Sequence, residues 1–404
     1  MAPLSNQKIT LTILLGNLFL AFLGISLVIP VMPTLMHELH ISGSTMGYLV
    51  AMFAFFQLIT SPIAGKWVDQ YGRKLMIVIG LFIFAISEFI FGIGENISVL
   101  FVSRMLGGIS AAFIMPAVTA FIADVTTDHE RSKALGYMSA AINTGFIIGP
   151  GIGGFLAEVH TRLPFFVAAI MGLTAAFISI FFLKEPKRTI SRPLKTNEKL
   201  SKKGQMRKLI KPLYVIPFIL IFIATFGLAA FESLLSLFVD VKFGFTAKDI
   251  AIMVMGGGLF GAIAQLFLFD RMARKIGEIS IIFYCFVLSA AFTFMMTFVN
   301  SYLAVILTTF VLFVGFDLFR PAITTYLSKI AGDEQGFVGG MNSMFTSIGN
   351  IVGPILGGAL FDKNINYPYY FAAIVMIIGI LITIYWKKSS NLHSSSHISN
   401  DAKP

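Results

Sequence analysis

"GFIIGPGIGG", Gly145 to Gly154, returns 204 residues downstream as "GNIVGPILGG", Gly349 to Gly358. Two further stretches repeat in the same order: "PAVT" (116–119) as "PAIT" (321–324), and "DQYGRK" (69–74) as "DRMARK" (270–275). Their offsets, 205 and 201 residues, nearly equal the first. Three ordered anchors at near-constant spacing are improbable by chance, so the chain reads as one plan used twice.

The chain has 404 residues, 56% hydrophobic and 12% charged, with a mean hydropathy of +0.85. Soluble domains carry about 25% charged residues, so this supply is too small to cover a water-facing surface. The composition predicts an integral membrane protein. A spanning helix needs roughly 20 mostly apolar residues, and twelve segments qualify: 9–35, 45–68, 75–94, 97–123, 133–158, 164–183, 213–239, 248–269, 277–298, 301–328, 336–361 and 368–386. The first is too long for a signal peptide's apolar region and lacks a small-residue cleavage site. Such runs lack the alternation of barrel strands, so the expected fold is all-α, twelve transmembrane helices in two pseudo-symmetric six-helix bundles.

Loops after the even-numbered spans carry the positive charge: Lys66, Arg73 and Lys74, then Arg131 and Lys133, then Arg271, Arg274 and Lys275, then Lys329. The intervening "HELHISGST" and "GENIS" carry none. Positive loops stay in the cytoplasm, which predicts two cytoplasmic termini in a plasma membrane. The same argument accounts for the net charge of +10 and pI near 9.6, so no nucleic-acid partner is expected. Residues 184–211 hold eleven Lys or Arg against two Glu and read as a cytoplasmic linker (185–212) between an N-terminal bundle (1–184) and a C-terminal bundle (213–387). The tail 388–404 reads as disordered. A lone Cys285 excludes an intramolecular disulfide, and the scattered histidines, His37 and His40 included, offer no metal-ligand spacing.

Duplicated six-helix units are the pattern of parallel repeats, in which substrate sites lie near the bilayer midplane at the repeat interface. A carrier is therefore the leading class. An ionisable residue at a helix centre costs roughly 2.5–3.5 kcal/mol to insert and marks function by default. The spans hold few: Arg104, Glu232, Asp317 and Arg320, with Glu88 nearer a span end and read as interfacial. Asp317 and Arg320, three apart, share a helix face and could form a structural ion pair, although such a pair adds little net stability. The functional alternative is that Asp317 and Glu232 bind and release protons. Poor hydration favours the neutral acid and a nearby cation the ionised one, so a moving Arg320 or a bound cationic drug would switch protonation.

At these motifs the chain resembles the major facilitator superfamily, specifically its twelve-span drug:proton antiporters of the NorA/Bmr type found in Gram-positive bacteria. "GKWVDQYGRK" (65–74) is similar to the loop motif of that family, "LGISLVIPVMP" (23–33) to its first-helix motif, and "LFVSRMLGGISAA" (100–112) to its fourth-helix motif, departing at Gly107 where Gln is common. "GFIIGPGIGG" is similar to its fifth-helix antiporter motif; "GFDLFRPAIT" and "AAFESL" extend the likeness. The resemblance implies proton coupling at Glu232 and Asp317. It also implies an inner-face latch at Gly65, Asp69, Gly72, Arg73 and Lys74, for which Asp124 is a reasonable partner. Gly149, Pro150, Gly153 and Gly154 complete the conformational set, since they remove bulk so that a helix can approach its neighbour and bend at proline.

Polar residues at helical spacing from aromatics suggest cavity faces: Phe53 with Gln57, Asn143 with Phe146 and Ile147, Phe313 and Phe316 with Arg320, and Asn342 with Thr346; Arg104 joins this substrate-binding set. Apolar aromatic cavities with a few acids suit flat, hydrophobic, often cationic or zwitterionic compounds, such as fluoroquinolones, dyes and quaternary ammonium ions. "GGGLFG" (256–261) fits a dinucleotide pattern literally, but that pattern requires a preceding strand and here lies within a span. No Walker motif appears, so the expected energy source is a proton gradient, with no cofactor, no metal and no enzymatic activity, in a functional monomer embedded in lipid. One rival is a carrier of a single metabolite such as a sugar or peptide; another is a non-transporting receptor, which would not need two mid-membrane acids.

Overall fold

The structure is a computed structural model that describes residues 4–186 and 212–400. The helices are α1 (Leu4–Leu27), α2 (Met32–Glu38), α3 (Gly43–Tyr71), α4 (Arg73–Ile93), α5 (Ile97–Val125), α6 (Asp128–Val159), α7 (Leu163–Phe182), α8 (Pro212–Phe243), α9 (Ala247–Ile276), α10 (Glu278–Met296), α11 (Tyr302–Ala331), α12 (Gln335–Phe361) and α13 (Tyr367–Asn400). Twelve spans among the described residues are long and apolar enough to cross a membrane, and no strand occurs among them. The all-helical, twelve-span expectation therefore holds. α1 and α2 together fill the first span, separated by a 3-10 turn at Ile29–Val31. Pro30 and Pro33 lie at this break, where two missing N–H donors interrupt the ladder.

Several helix starts carry side-chain caps. Ser42 and Asn96 accept from the amides of Thr45 and Val99, and Thr127 with Glu130 forms a capping box at α6. Gly72, at φ 107°, and Gly277, at φ 76°, begin α4 and α10, conformations that side chains avoid. The last helix runs to Asn400, beyond the boundary at 387 where composition suggests a disordered tail. Residues 387–400 contain neither Gly nor Pro, so nothing in them breaks the ladder. The basic linker, apart from its ends, falls outside the described residues.

Packing divides the described residues into two compact units. The first holds the chain up to residue 186 together with Leu234–Met255; the second holds 212–233 and the chain from Gly256 to 400. The first unit takes in the end of α8 and the start of α9 for visible reasons. His37 Nε2 lies 2.6 Å from Asp240 Oδ2, Lys248 Nζ lies 3.6 Å from Glu158, and a Cβ on Gly154 would collide with Ala251.

Within the first unit α1 packs on α6, α5 on α3 and α4, and α7 on α4 and α1; within the second, α10 packs on α11 and α13. The tightest seams are built on the repeated motif. Cβ atoms on Gly145, Gly149 and Gly153 would strike Phe19, Leu23, Ser26 and Leu27 of α1, the last at its carbonyl oxygen. Ser26 Oγ donates across this seam to the Gly145 carbonyl, 3.1 Å away. In the second unit Gly349 and Gly353 meet Thr225, Phe226 and Ala230 of α8 in the same manner. Small residues let helices approach where water provides no hydrophobic drive. Replacing Gly153 by Leu should destabilise the protein by about 1–3 kcal/mol through overpacking. A fall in its thermal unfolding midpoint in detergent checks this, with Gly136→Ala, which meets nothing within 4 Å, as the reference.

Candidate functional site

In the second unit, Glu232 sits on α8 and Asp317 on α11, each well inside a span. Glu232 is exposed and Asp317 half-buried. An exposed surface inside a span meets either lipid or water, and the cost of a carboxylate in hydrocarbon favours a hydrated cavity. Neither carboxylate has an ion-pair partner among the described residues. Asp317 and Arg320 share a helix face without forming the salt bridge that their spacing permits. Arg320 is exposed, and both it and Glu232 act electrostatically on Asp317. This is a cluster of two acids and one base that holds no fixed pair.

The surrounding candidates separate. Phe313 is half-buried and its ring lies against Gly257. Phe316, expected beside it in a cavity, is instead buried, with its ring 6.1 Å from that of Phe231, which meets Tyr369 edge-on. Three residues along α11 turn the side chain from α9 toward α8, and there it packs. Asn342 and Thr346 are half-buried on α12.

In the first unit, Phe53 and Gln57 are half-buried on α3, Asn143 and Phe146 are exposed on α6, and Ile147 is half-buried. The Phe146 ring tilts against Phe22 at 5.2 Å. Gly107 and Gly108 of α5 press on Phe53 and the Gln57 backbone, which gives a steric reason for Gly107 where the family pattern carries a longer residue. Arg104, placed by sequence in the substrate-binding set, carries an ion pair of its own. Its guanidinium donates to Glu88 Oε1 at 3.1 Å and covers the Phe91 ring at 4.3 Å. Glu88, read as interfacial, is 2% exposed. The turn at Gly94–Asn96 brings α4 and α5 back alongside each other, so this pair meets at one depth inside protein. Glu88 Oε2 and Arg104 Nε find no hydrogen-bond partner among the described residues.

At the other end of the first unit lies the loop motif. Arg73 Nε donates to Asp124 Oδ2 at 2.8 Å, its Nη2 lies 3.3 Å from Asp69, and its Nη1 donates to the Val68 carbonyl. Lys74 Nζ donates to the Ile180 carbonyl. Glu185, assigned to the linker by composition, accepts from the backbone amides of Arg73 and Lys74 at 2.7 and 2.8 Å. An acid there complements the helix N-terminus, and a Cβ on Gly72 would displace it. Gly65 is half-buried and meets nothing within 4 Å.

The second unit carries a counterpart that sequence alignment misses. Gly72, Arg73 and Asp124 find their equivalents 205 residues on at Gly277, Glu278 and Lys329, and Lys329 pairs with Glu278. The sign of each charge is reversed. The motif match at offset 201 sets Arg274 against Arg73, but Arg274 falls inside α9, before the turn. The offset of 205 shared with "PAIT" is the signal that could have found the pair.

The sequence pattern of the Major Facilitator Superfamily matches residues 14–316 and 218–402. Multidrug resistance protein 1 of Bacillus subtilis (strain 168) is 63% identical over 393 residues, 97% of this chain and 100% of that protein. Multidrug resistance protein 2 of the same strain is 53% identical, covering 96% of this chain and 98% of its own. Quinolone resistance protein NorA of Staphylococcus aureus (strain N315) is 45% identical, covering 93% and 96%. Among solved structures, an inward-facing, unoccupied bacterial homolog of the lysosomal transporter Spinster superposes with a TM-score of 0.77 at 16% identity, over 95% of this chain and 96% of that one. Nucleoside transporter NupG does so at 0.76 and 12%, over 94% and 98%; these two likenesses concern the fold. With family pattern, relatives along nearly the full length, twelve spans and duplicated packing in agreement, the chain belongs to the major facilitator superfamily.

Proposed function

We propose that this protein is a proton-coupled multidrug antiporter of a Gram-positive plasma membrane, exporting hydrophobic, often cationic or zwitterionic compounds by alternating access. The observation that carries the reading is the pair of carboxylates, Glu232 and Asp317, set inside spans without an ion-pair partner among the described residues. Its kinship to drug-resistance proteins at up to 63% identity supports the substrate class. The name of the Staphylococcus relative brings quinolones within it.

In this reading an ionised carboxylate attracts a cationic drug, and a proton arriving from outside replaces the drug's charge and lowers its affinity. Loss of the proton to the cytoplasm resets the site. Arg320, exposed on the same helix, stabilises the ionised state between turnovers and gives a carboxylate-bearing drug a counter-charge. One pH unit supplies about 1.36 kcal/mol per proton, and 100 mV adds about 2.3 kcal/mol per charge moved. At 1.4 kcal/mol per decade, one proton with both components sustains a several-hundred-fold gradient of a neutral or zwitterionic compound, whereas one-for-one exchange against a monovalent cation moves no net charge and draws on the pH component alone, about tenfold. The energy then comes from the proton gradient with no bound cofactor, through a monomer whose termini both face the cytoplasm. The Arg73–Asp124–Asp69 cluster acts as an inner-face latch, and Arg104, held by Glu88, acts as a brace between α4 and α5 rather than as a drug contact.

Asp317→Asn should abolish uphill, pH-gradient-driven efflux of ethidium from sealed proteoliposomes; accumulation equal to wild type would reject the proton role. Arg73→Ala should slow turnover several-fold and change the ethidium dissociation constant little. An equal loss of affinity, measured by dye titration, would assign Arg73 to binding instead.

A further inference from the structure

The run "GGGLFG" (256–261), unsuited to a nucleotide, lies in α9 and faces α11. Three of its glycines each receive one α11 side chain. A Cβ on Gly256 would collide with the Phe310 ring, and one on Gly257 would lie 2.9 Å from the Phe313 ring. A Cβ on Gly261 would overlap Asp317 Oδ2 and lie 2.8 Å from Asp317 Cγ. Phe260 and Phe310 stack at 4.8 Å beside these contacts and fix the register. Rings laid on glycines are what close helix packing requires. A carboxylate laid on a mid-helix glycine is different, because the helix backbone there has no free N–H to offer and packing gains nothing from the charge.

Resting on the proton-coupling role proposed above for Asp317, we propose that Gly261 is a positioning residue: its missing side chain is the notch that seats the Asp317 carboxylate. The charged groups acting on that carboxylate are Glu232 from α8 and Arg320 from α11 itself, whereas α9 meets it with Gly261. The notch therefore sets both the hydration of the acid and its separation from one like and one opposite charge. Those quantities decide when it takes up a proton. Filling the notch leaves every charged residue in place and moves only the carboxylate.

The test compares wild type, Gly261→Ala, Gly256→Ala, Asp317→Glu and Asp317→Asn in sealed liposomes, reading initial ethidium efflux rates against pH. Gly261→Ala should move the midpoint of the pH profile by about one unit or more, a tenfold change in proton affinity. Gly256→Ala strains the same helix pair through Phe310 and should slow transport without moving the midpoint. If Gly261→Ala and wild type share a midpoint while Asp317→Asn is uncoupled, the positioning role falls and the proton role of Asp317 stands. Coupled transport by Asp317→Asn would reject both. If Gly261→Ala does not reach the membrane, Asp317→Glu decides, since it keeps the glycine and carries the acid one methylene past the notch. A shifted midpoint supports the inference, and an unchanged one overturns it.

Discussion

A charge taken into hydrocarbon must find a partner, a protein interior or water, and the intramembrane ionisable residues named above divide among these exits. Arg104 and Glu88 neutralise each other deep between α4 and α5, with an aromatic ring beneath the guanidinium. Breaking such a pair by removing one partner costs roughly 3–5 kcal/mol, so the loss of either member would weaken the packing of these two helices. Glu232 and Arg320 instead keep exposed surface inside their spans, and Asp317 is seated on a glycine. An arrangement left unpaired in a medium that penalises it so heavily is one whose protonation can change without dismantling the fold.

The same economy governs helix packing. Lipid tails are as apolar as the side chains, so the seams rely on close approach and a few interhelical hydrogen bonds, each worth about 0.6 kcal/mol on average. Asn17 donating to Ser179, Ser110 to the Gly80 carbonyl and Ser26 to the Gly145 carbonyl are of this kind. The duplication preserves geometry more strictly than chemistry. Gly277 repeats Gly72 as a helix start with positive φ, and the ion pair beyond it survives with both signs exchanged.

Much of this was legible in the residues. Span number and position follow from length and apolarity, and the observed helices overrun the expected ends because caps such as Ser42 and Thr127 lie just outside the apolar runs. The repeat was legible through its glycines. What escaped were contacts that join distant residues or that turn on a few degrees of helix rotation. Glu88 and Arg104 are sixteen residues apart, yet the short Gly94–Asn96 turn between them already places residues on either side at matched depths. Glu185 was hidden among basic neighbours, although it caps a helix start 112 residues earlier. Phe316 shares a spacing with Phe313 but faces a different neighbour. The acids of the candidate site could be named from sequence, whereas the notch at Gly261 could not, because a missing side chain has no signature until its occupant is seen.

The glycine seams carry a mechanical consequence. Where Gly149 and Gly153 rest on α1, and Gly349 and Gly353 on α8, the joint holds backbone and short side chains such as Ser26 and Thr225, none long enough to slide or re-pack. α1 with α6, and α8 with α12, therefore travel as welded pairs, and any flexing in a transport cycle is forced along the rods rather than across the joints. Pro150 and Pro354, each directly after a seam glycine, supply matched weak points for that flexing, one in each copy of the ancestral unit.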